Sequence, residues 1–112
     1  MSSEKGEKKF WTIAESLYSD PSVKEGTMMG FKCLRVNKAF FATLDHRSAD
    51  LVVKLSKERV GTLIEEKIGL PFSPAGRVFK EWVAIPYEHN RRWTKLMLEA
   101  KEFVALLPTK RK

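Results

Sequence analysis

Apolar residues recur every three or four positions in three segments of the chain, and this spacing predicts three amphipathic helices. The first covers residues 5–18 and ends before Asp20-Pro21, because a residue in front of proline disfavours the helical conformation. The second starts after Ser56, a good N-cap, and ends near Gly69. The third is the longest, and its apolar positions are Trp93, Leu96, Met97, Ala100, Phe103, Val104 and Leu107.

Stretches rich in strand-forming residues predict four strands. Three of them, at residues 28–36, 39–44 and 50–55, lie between the first two helices. Asn37-Lys38 separates the first pair, which favours a two-residue hairpin with a type I′ turn. That turn needs positive φ at both central residues, which Asn tolerates and which Gly would satisfy better than Lys. A loop with two prolines and two glycines precedes the fourth strand, at residues 77–85.

The predicted order α-β-β-β-α-β-α indicates an α+β fold, with helices packed on one side of an antiparallel four-stranded sheet. The chain has 112 residues, of which 43% are hydrophobic and 31% charged, as in a globular protein. This length suits one domain, residues 1–112. Residues 1–8 and 109–112 are expected to be flexible tails.

Cysteine content and the lengths of the apolar segments indicate where the protein resides. A single cysteine, Cys33, cannot form an internal disulfide, which fits a reducing compartment. Residues 1–9 alternate acidic and basic side chains, without the apolar stretch of a secretory signal. No apolar stretch reaches the roughly 18 residues that a membrane-spanning helix needs. We therefore expect a cytoplasmic protein that makes no membrane contact.

Charge is the strongest compositional indication of a partner. The chain has 21 Lys and Arg residues against 14 Asp and Glu, a net charge of +7, and its isoelectric point is near 9.7. A positive field attracts polyanions such as nucleic acid, although solvated tails commonly carry such charge without a partner. The candidate nucleic-acid contacts are Arg91, Arg92, Lys95, Lys110, Arg111 and Lys112.

The sequence contains no recognisable catalytic or metal-binding arrangement. Cys33 with His46 or His89 could form a nucleophile and a base, but a lone cysteine in a strand usually acts as a small core residue. Neither histidine has closely spaced partners for a zinc site. The loop at residues 69–76 lacks the Lys-Ser/Thr ending of a P-loop. We expect no catalytic residue, no metal and no cofactor.

Two residues are candidates for a protein interface. Trp11 lies beside the apolar stripe of the first helix, and tryptophan is enriched at interfaces. Arg77 follows the loop at residues 69–76 and could bind an anion there, although an ordinary surface arginine is the commoner case.

The segment Gly26-Thr27-Met28-Met29-Gly30-Phe31, followed by Val36-Asn37 and Phe40-Phe41-Ala42, resembles the start of the TfoX/Sxy N-terminal domain family. Lys38 stands where that family has glycine, and Met29 where it often has phenylalanine. Farther on, Gly76-Arg77 and Lys80-Glu81-Trp82 are similar to segments of the related YjbR-like group. The resemblance extends over residues 10–104.

This resemblance implies an α+β fold without known enzymatic chemistry, in a group associated with bacterial competence regulation. For YjbR-like members it also implies conjectured DNA binding. Fold does not fix function, so the resemblance identifies no active residue.

Three functions are compatible with the sequence. The first is a non-enzymatic interaction or regulatory domain of the TfoX N-terminal type, which binds a protein partner or a second copy of itself through a surface near the first helix and the sheet edge. The second is sequence-independent nucleic-acid binding through a basic surface. The third is an enzyme or small-ligand binder with a pocket under the loop at residues 69–76.

Overall fold

A computed structural model describes residues 2–28, 31–45, 49–73, 76 and 78–107 of the chain. The helices are α1 (Ser2–Leu17), α2 (Lys57–Glu65) and α3 (Trp93–Leu106), and a 3₁₀ helix (Tyr87–Arg92) runs directly into α3. The strands are β1 (Val23–Met28), β2 (Phe31–Val36), β3 (Ala39–Leu44), β4 (Leu51–Lys54), β5 (Leu70–Pro71) and β6 (Trp82–Ile85).

The strands form one antiparallel sheet in the order β1-β2-β3-β4-β6-β5. The prediction of an α+β fold with an antiparallel sheet and three helices is confirmed. The prediction of four strands is wrong, because the sheet has six. The two additional strands, β1 and β5, lie at its two edges.

Edge strand β1 escaped prediction because its sequence does not alternate between apolar and polar residues. It carries Lys24, Glu25 and Gly26, which are atypical of a buried strand but common where an edge must avoid pairing with other chains. Of the predicted strand at residues 28–36, residues 31–36 form β2, whereas Met28 ends β1, which pairs with β2.

The region around β5 and β6 also differs from the prediction. Residues 78–81 do not form a strand, because the chain turns there: Phe79 N–H donates to the Phe72 carbonyl at 3.0 Å, and Trp82 N–H donates to the Phe79 carbonyl at 3.2 Å. Conversely, Leu70–Pro71 lies in a segment predicted to be irregular, yet pairs with β6. Proline is tolerated there because β5 is an edge strand.

The predicted hairpin between β2 and β3 is confirmed. Val36 pairs with Ala39, and the two residues between them, Asn37 and Lys38, have φ of 52° and 74°. Positive φ at both central residues is the requirement of a type I′ turn. Lys38 therefore holds a conformation that favours glycine.

The helix ends follow local capping chemistry. The Ser56 hydroxyl accepts a hydrogen bond from Arg59 N–H at 3.1 Å, which confirms the predicted N-cap of α2. This helix stops at Glu65, before the predicted end, because Lys67 takes a left-handed conformation with φ of 64°. Helix α1 includes residues 2–8, which were expected to be a tail. Residues 109–112 lie outside the described residues.

A single hydrophobic cluster joins all three helices to one face of the sheet. The strands contribute alternate residues to it, and a β-bulge adds one more. Leu34 pairs with Ala42 and Arg35 with Phe40, so Phe41 is an extra residue that joins Ala42 in the core. The strand residues of the cluster are Val23, Leu34, Val36, Phe41, Ala42, Leu51, Val53, Val83 and Ile85. Among the described residues, no helix is long and apolar enough to cross a membrane.

Candidate interaction surface

The strand residues that alternate with the core positions point to the second face of the sheet. We call it the helix-free face, because the cluster that holds α1, α2 and α3 takes its strand residues from the other side. The pairing register arranges its side chains in two rows across the strands. One row consists of small residues that are mostly buried, and the other contains cations and aromatic rings.

The small-residue row crosses the sheet through directly paired positions. Its members from β1 to β6 are Gly26, Cys33, Thr43, Val52 and Ala84. Cys33 and Val52 are fully buried, and Thr43 and Ala84 are nearly so. The Cys33 thiol donates to the Thr43 hydroxyl at 3.3 Å, and that hydroxyl donates to the Lys32 carbonyl at 3.0 Å.

The cation–aromatic row lies beside it and consists of Lys24, Arg35, Phe40, Lys54 and Trp82. Lys24 pairs with Arg35, Arg35 with Phe40, and Lys54 with Trp82. Phe40 and Lys54 are not directly paired, because the pairing of β3 with β4 runs from Ala42 and Val53 to Leu44 and Leu51. With about 4.8 Å between neighbouring strands, the row is about 19 Å long from β1 to β6.

Arg35 covers part of the small-residue row. A Cβ added to Gly26 would lie 2.7 Å from Arg35 Nε and 2.8 Å from its Cδ, so the arginine side chain lies directly over the glycine. Arg35 Nε is buried, and no described residue forms a hydrogen bond with it. Lys24, directly opposite, is exposed. Neither cation forms an ion pair with any residue in the described part of the chain.

At the other end of the row, Lys54 contacts the ring of its cross-strand neighbour. Its Nζ lies 5.9 Å from the centroid of Trp82 and 3.7 Å from a carboxylate oxygen of Glu81. Glu81 is about half exposed, so this ion pair is weakened by solvent. The ring of Trp82 is partly exposed.

Beyond Trp82, the β5 edge of the sheet exposes apolar side chains. Leu70 is 51% exposed, Val78 54% and Phe79 37%. The Phe72 and Phe79 rings contact each other, with centroids 6.0 Å apart. We call Leu70, Phe72, Val78 and Phe79 the edge patch. Exposed apolar residues grouped in this way are typical of interaction surfaces.

Three of the predicted nucleic-acid contacts lie on helices rather than on the strands of the row. Arg91 and Arg92 are exposed at the end of the 3₁₀ helix, and Lys95 is exposed in the first turn of α3. Lys110, Arg111, Lys112 and the predicted interface residue Arg77 lie outside the described residues. Their roles stay predictions.

Trp11, the other predicted interface residue, packs partly against the core. Its ring meets that of Phe10 edge to face, with centroids 4.8 Å apart. It is half-buried on α1, away from the helix-free face. His89 lies in the 3₁₀ helix, 3.6 Å from the exposed carboxylate of Glu88. His46 lies outside the described residues.

The pKa of the Asp20 carboxyl is strongly lowered. The Ser22 hydroxyl donates to Asp20 Oδ1 at 2.7 Å and Ser22 N–H does so at 2.9 Å, while Lys101 Nζ lies 3.0 Å from Oδ2. These donors stabilise the carboxylate and lower the pKa of Asp20 from 3.8 to about 2. Burial raises the pKa of Tyr18, and Glu25 and Glu15 add to that shift. Both groups are structural rather than part of the helix-free face.

Most of the positive excess falls outside the described residues. Five of the 21 basic residues do so: Arg47, Arg77, Lys110, Arg111 and Lys112. The described residues include the other 16 basic residues and all 14 acidic ones, so their net charge is +2. A positive surface on the described part of the molecule therefore requires basic residues to be clustered, because the net charge of that part is small.

The fold and the surface define an α+β domain in which helices cover one face of an antiparallel sheet. Within the described ranges, no group of three or more His, Cys, Asp or Glu side chains could hold a metal ion. No protein-family model, curated protein or solved structure matches this chain. The TfoX-like resemblance therefore stays a prediction from sequence motifs.

Proposed function

We propose that this protein is a non-enzymatic interaction or regulatory domain of the TfoX N-terminal type, and that it binds its partner on the helix-free face. The observation that carries the proposal is the division of the sheet into two faces. One face is covered by all three helices, whereas the other ends in partly exposed aromatic rings and the edge patch.

The edge patch and the cation–aromatic row together have the composition of an interface. Aromatic residues and arginine are enriched at such surfaces, and a charged rim around apolar residues is their usual arrangement. Here Lys54 lies over the ring of Trp82 and pairs with Glu81. The sequence predicted a surface near the first helix and the sheet edge, and the present proposal puts it on the helix-free face and the edge patch.

The environment of Cys33 supports a non-enzymatic role. Its thiol is fully buried on the sheet and donates a hydrogen bond to Thr43, so it acts as a packing residue. Broad substrate profiling is expected to find no robust turnover. Turnover that a single substitution abolishes would contradict this half of the proposal.

Mapping by nuclear magnetic resonance tests where partners bind. Isotope-labelled protein would be titrated with separated protein and nucleic-acid fractions of a cell extract. We expect amide shifts on the strands of the sheet, β4 and β5 included, and loss of these shifts in Leu70→Glu. The matched control is Leu98→Glu, because Leu98 is a 39% exposed leucine on α3. Shifts confined to the helical layer, or lost only in the control variant, would refute the helix-free face as the binding surface.

A further inference from the structure

Lys24 and Arg35 form an arrangement that is unfavourable in the isolated protein. Like charges that directly oppose each other on neighbouring strands repel. Here two cations do so, and no carboxylate in the described part of the chain neutralises them. Burial of an arginine nitrogen without a partner adds a further cost. A bound anion would remove the repulsion between the two charges.

The neighbours of these cations indicate what kind of anion fits. Phe40 is the direct cross-strand partner of Arg35, and Lys54 and Trp82 repeat the pair of cation and aromatic ring farther along. Phe40 and Trp82 are partly exposed and lie outside the helix-covered core. From Arg35 onward the row runs cation, ring, cation, ring, with Lys24 as a second cation at its β1 end. Phosphates and bases alternate in the same way along a single nucleic-acid strand.

We propose that the cation–aromatic row binds single-stranded nucleic acid, with phosphates at Lys24, Arg35 and Lys54 and bases stacked on Phe40 and Trp82. This inference rests on the proposed function, since it names the partner of the helix-free face. A duplex fits less well, because its bases are already stacked and cannot lie on aromatic side chains. The row offers charge and stacking but no fixed set of base-reading donors, so binding tolerates different sequences.

Fluorescence anisotropy with a labelled oligothymidylate of about 15 nucleotides tests the inference. At about 50 mM salt, we expect the single strand to bind and a duplex of equal length to bind more weakly. Phe40→Ala and Trp82→Ala should each weaken binding at least about fivefold, whereas Trp82→Phe should retain most of the affinity. Thermal unfolding of each variant shows that the fold persists.

Charge variants identify which cations meet phosphates. Lys24→Gln combined with Arg35→Gln should reduce the slope of log affinity against log salt by about 1.4, since each contact with a single strand contributes about 0.7. The matched control, Arg91→Gln combined with Arg92→Gln, removes the same charge from the predicted contacts outside the row. Equal binding of duplex and single strand, unchanged affinity in the row variants, or loss only in the control pair would overturn the inference.

The failure of this inference can be separated from that of the proposed function. If the oligonucleotide does not bind but a protein fraction shifts the amides of the helix-free face, the surface is right and its occupant is a protein. If no fraction perturbs that face, both proposals fall.

Discussion

Arg59 on α2 and Glu99 on α3 form a two-point ion pair, with Nε 2.8 Å from one carboxylate oxygen and Nη2 3.4 Å from the other. The pair joins α2 to the long helix α3 on the outside of the helical layer. Both side chains are 35% exposed, so water and salt screen their attraction. Its geometry nevertheless matches the planar fork of a guanidinium to a carboxylate.

A double-mutant cycle with Arg59→Gln and Glu99→Gln should give a coupling of about 0.5–1 kcal/mol in the free energy of unfolding. The coupling should decrease as salt is added. Lys32 and Glu25 are the control pair, because they lie 3.7 Å apart with side chains 71% and 46% exposed. Their coupling should be near zero, and equal values for the two pairs would contradict the role of geometry.

Glycine at the left-handed positions should stabilise the protein. Lys38 in the hairpin turn and Lys67 after α2 both have positive φ, which costs about 1–2 kcal/mol for a residue with a Cβ. Glycine also makes the unfolded chain more flexible, so Lys38→Gly and Lys67→Gly should each gain only about 0.5–1 kcal/mol. Urea unfolding measures the change.

Lys95→Gly is the control for these two variants, because Lys95 lies exposed in α3 with ordinary helical geometry. It should lose up to about 1 kcal/mol. A destabilised Lys38→Gly variant would show that the hairpin turn is not the type I′ form.

Two glycines in helices should respond to alanine in opposite directions. A Cβ at Gly6 would lie 2.8 Å from the Ala49 carbonyl oxygen, whereas a Cβ at Gly61 would meet nothing within 4 Å. Gly6→Ala should lose about 1–2 kcal/mol, because backbone must move to relieve the overlap. Gly61→Ala should gain about 0.5–1 kcal/mol from helix propensity. Thermal unfolding of both variants measures these changes in stability. If both variants were stabilised, the close approach of α1 to residue 49 would be excluded.

Acid should weaken the fold partly through Asp20. The folded pKa of about 2 is lower than the ordinary 3.8, so the ionised carboxylate stabilises the folded state above pH 3.8. That contribution is lost as the pH falls through about 2. The difference in stability between the wild type and Asp20→Asn should therefore shrink over this interval. Stability curves at a series of pH values measure it.

Ser22→Ala tests the cause of the shift, because the Ser22 hydroxyl is its largest source. Removing the hydroxyl should raise the pKa of Asp20 towards its ordinary value. A carboxyl titration followed by nuclear magnetic resonance that finds the same pKa in both proteins would assign the shift to another donor.

The sequence was most informative where local chemistry decides structure. The helical stripes, the Ser56 cap and the Asn37-Lys38 turn each depend on residues within a few positions of one another, and all are found in the structure. The edge strands were missed because pairing with a neighbour, rather than their own composition, holds them in place. Residues 78–81 have strand-like composition, but they form a turn in which Phe79 N–H donates to the Phe72 carbonyl, and this turn keeps them out of the sheet.

The cation–aromatic row could not be predicted from the same information. Lys24 belongs to β1, which the pattern did not reveal, and Phe40 reaches the helix-free face because the bulge places Phe41 in the core. The consecutive residues that share one face are Phe41 and Ala42, and nothing in their local sequence distinguishes them from a regular strand, in which neighbours point to opposite faces. Long-range register, which no local pattern contains, brings the row together.

Burial of the sole cysteine makes it an internal reporter of sheet opening. Thiol reagents attack a solvated thiolate, so they can modify Cys33 only while its surroundings are transiently displaced. The rate of modification would therefore measure how often β2 and β3 separate, without any engineered label. A partner bound on the helix-free face would slow this reaction, so the modification rate of Cys33 would report binding.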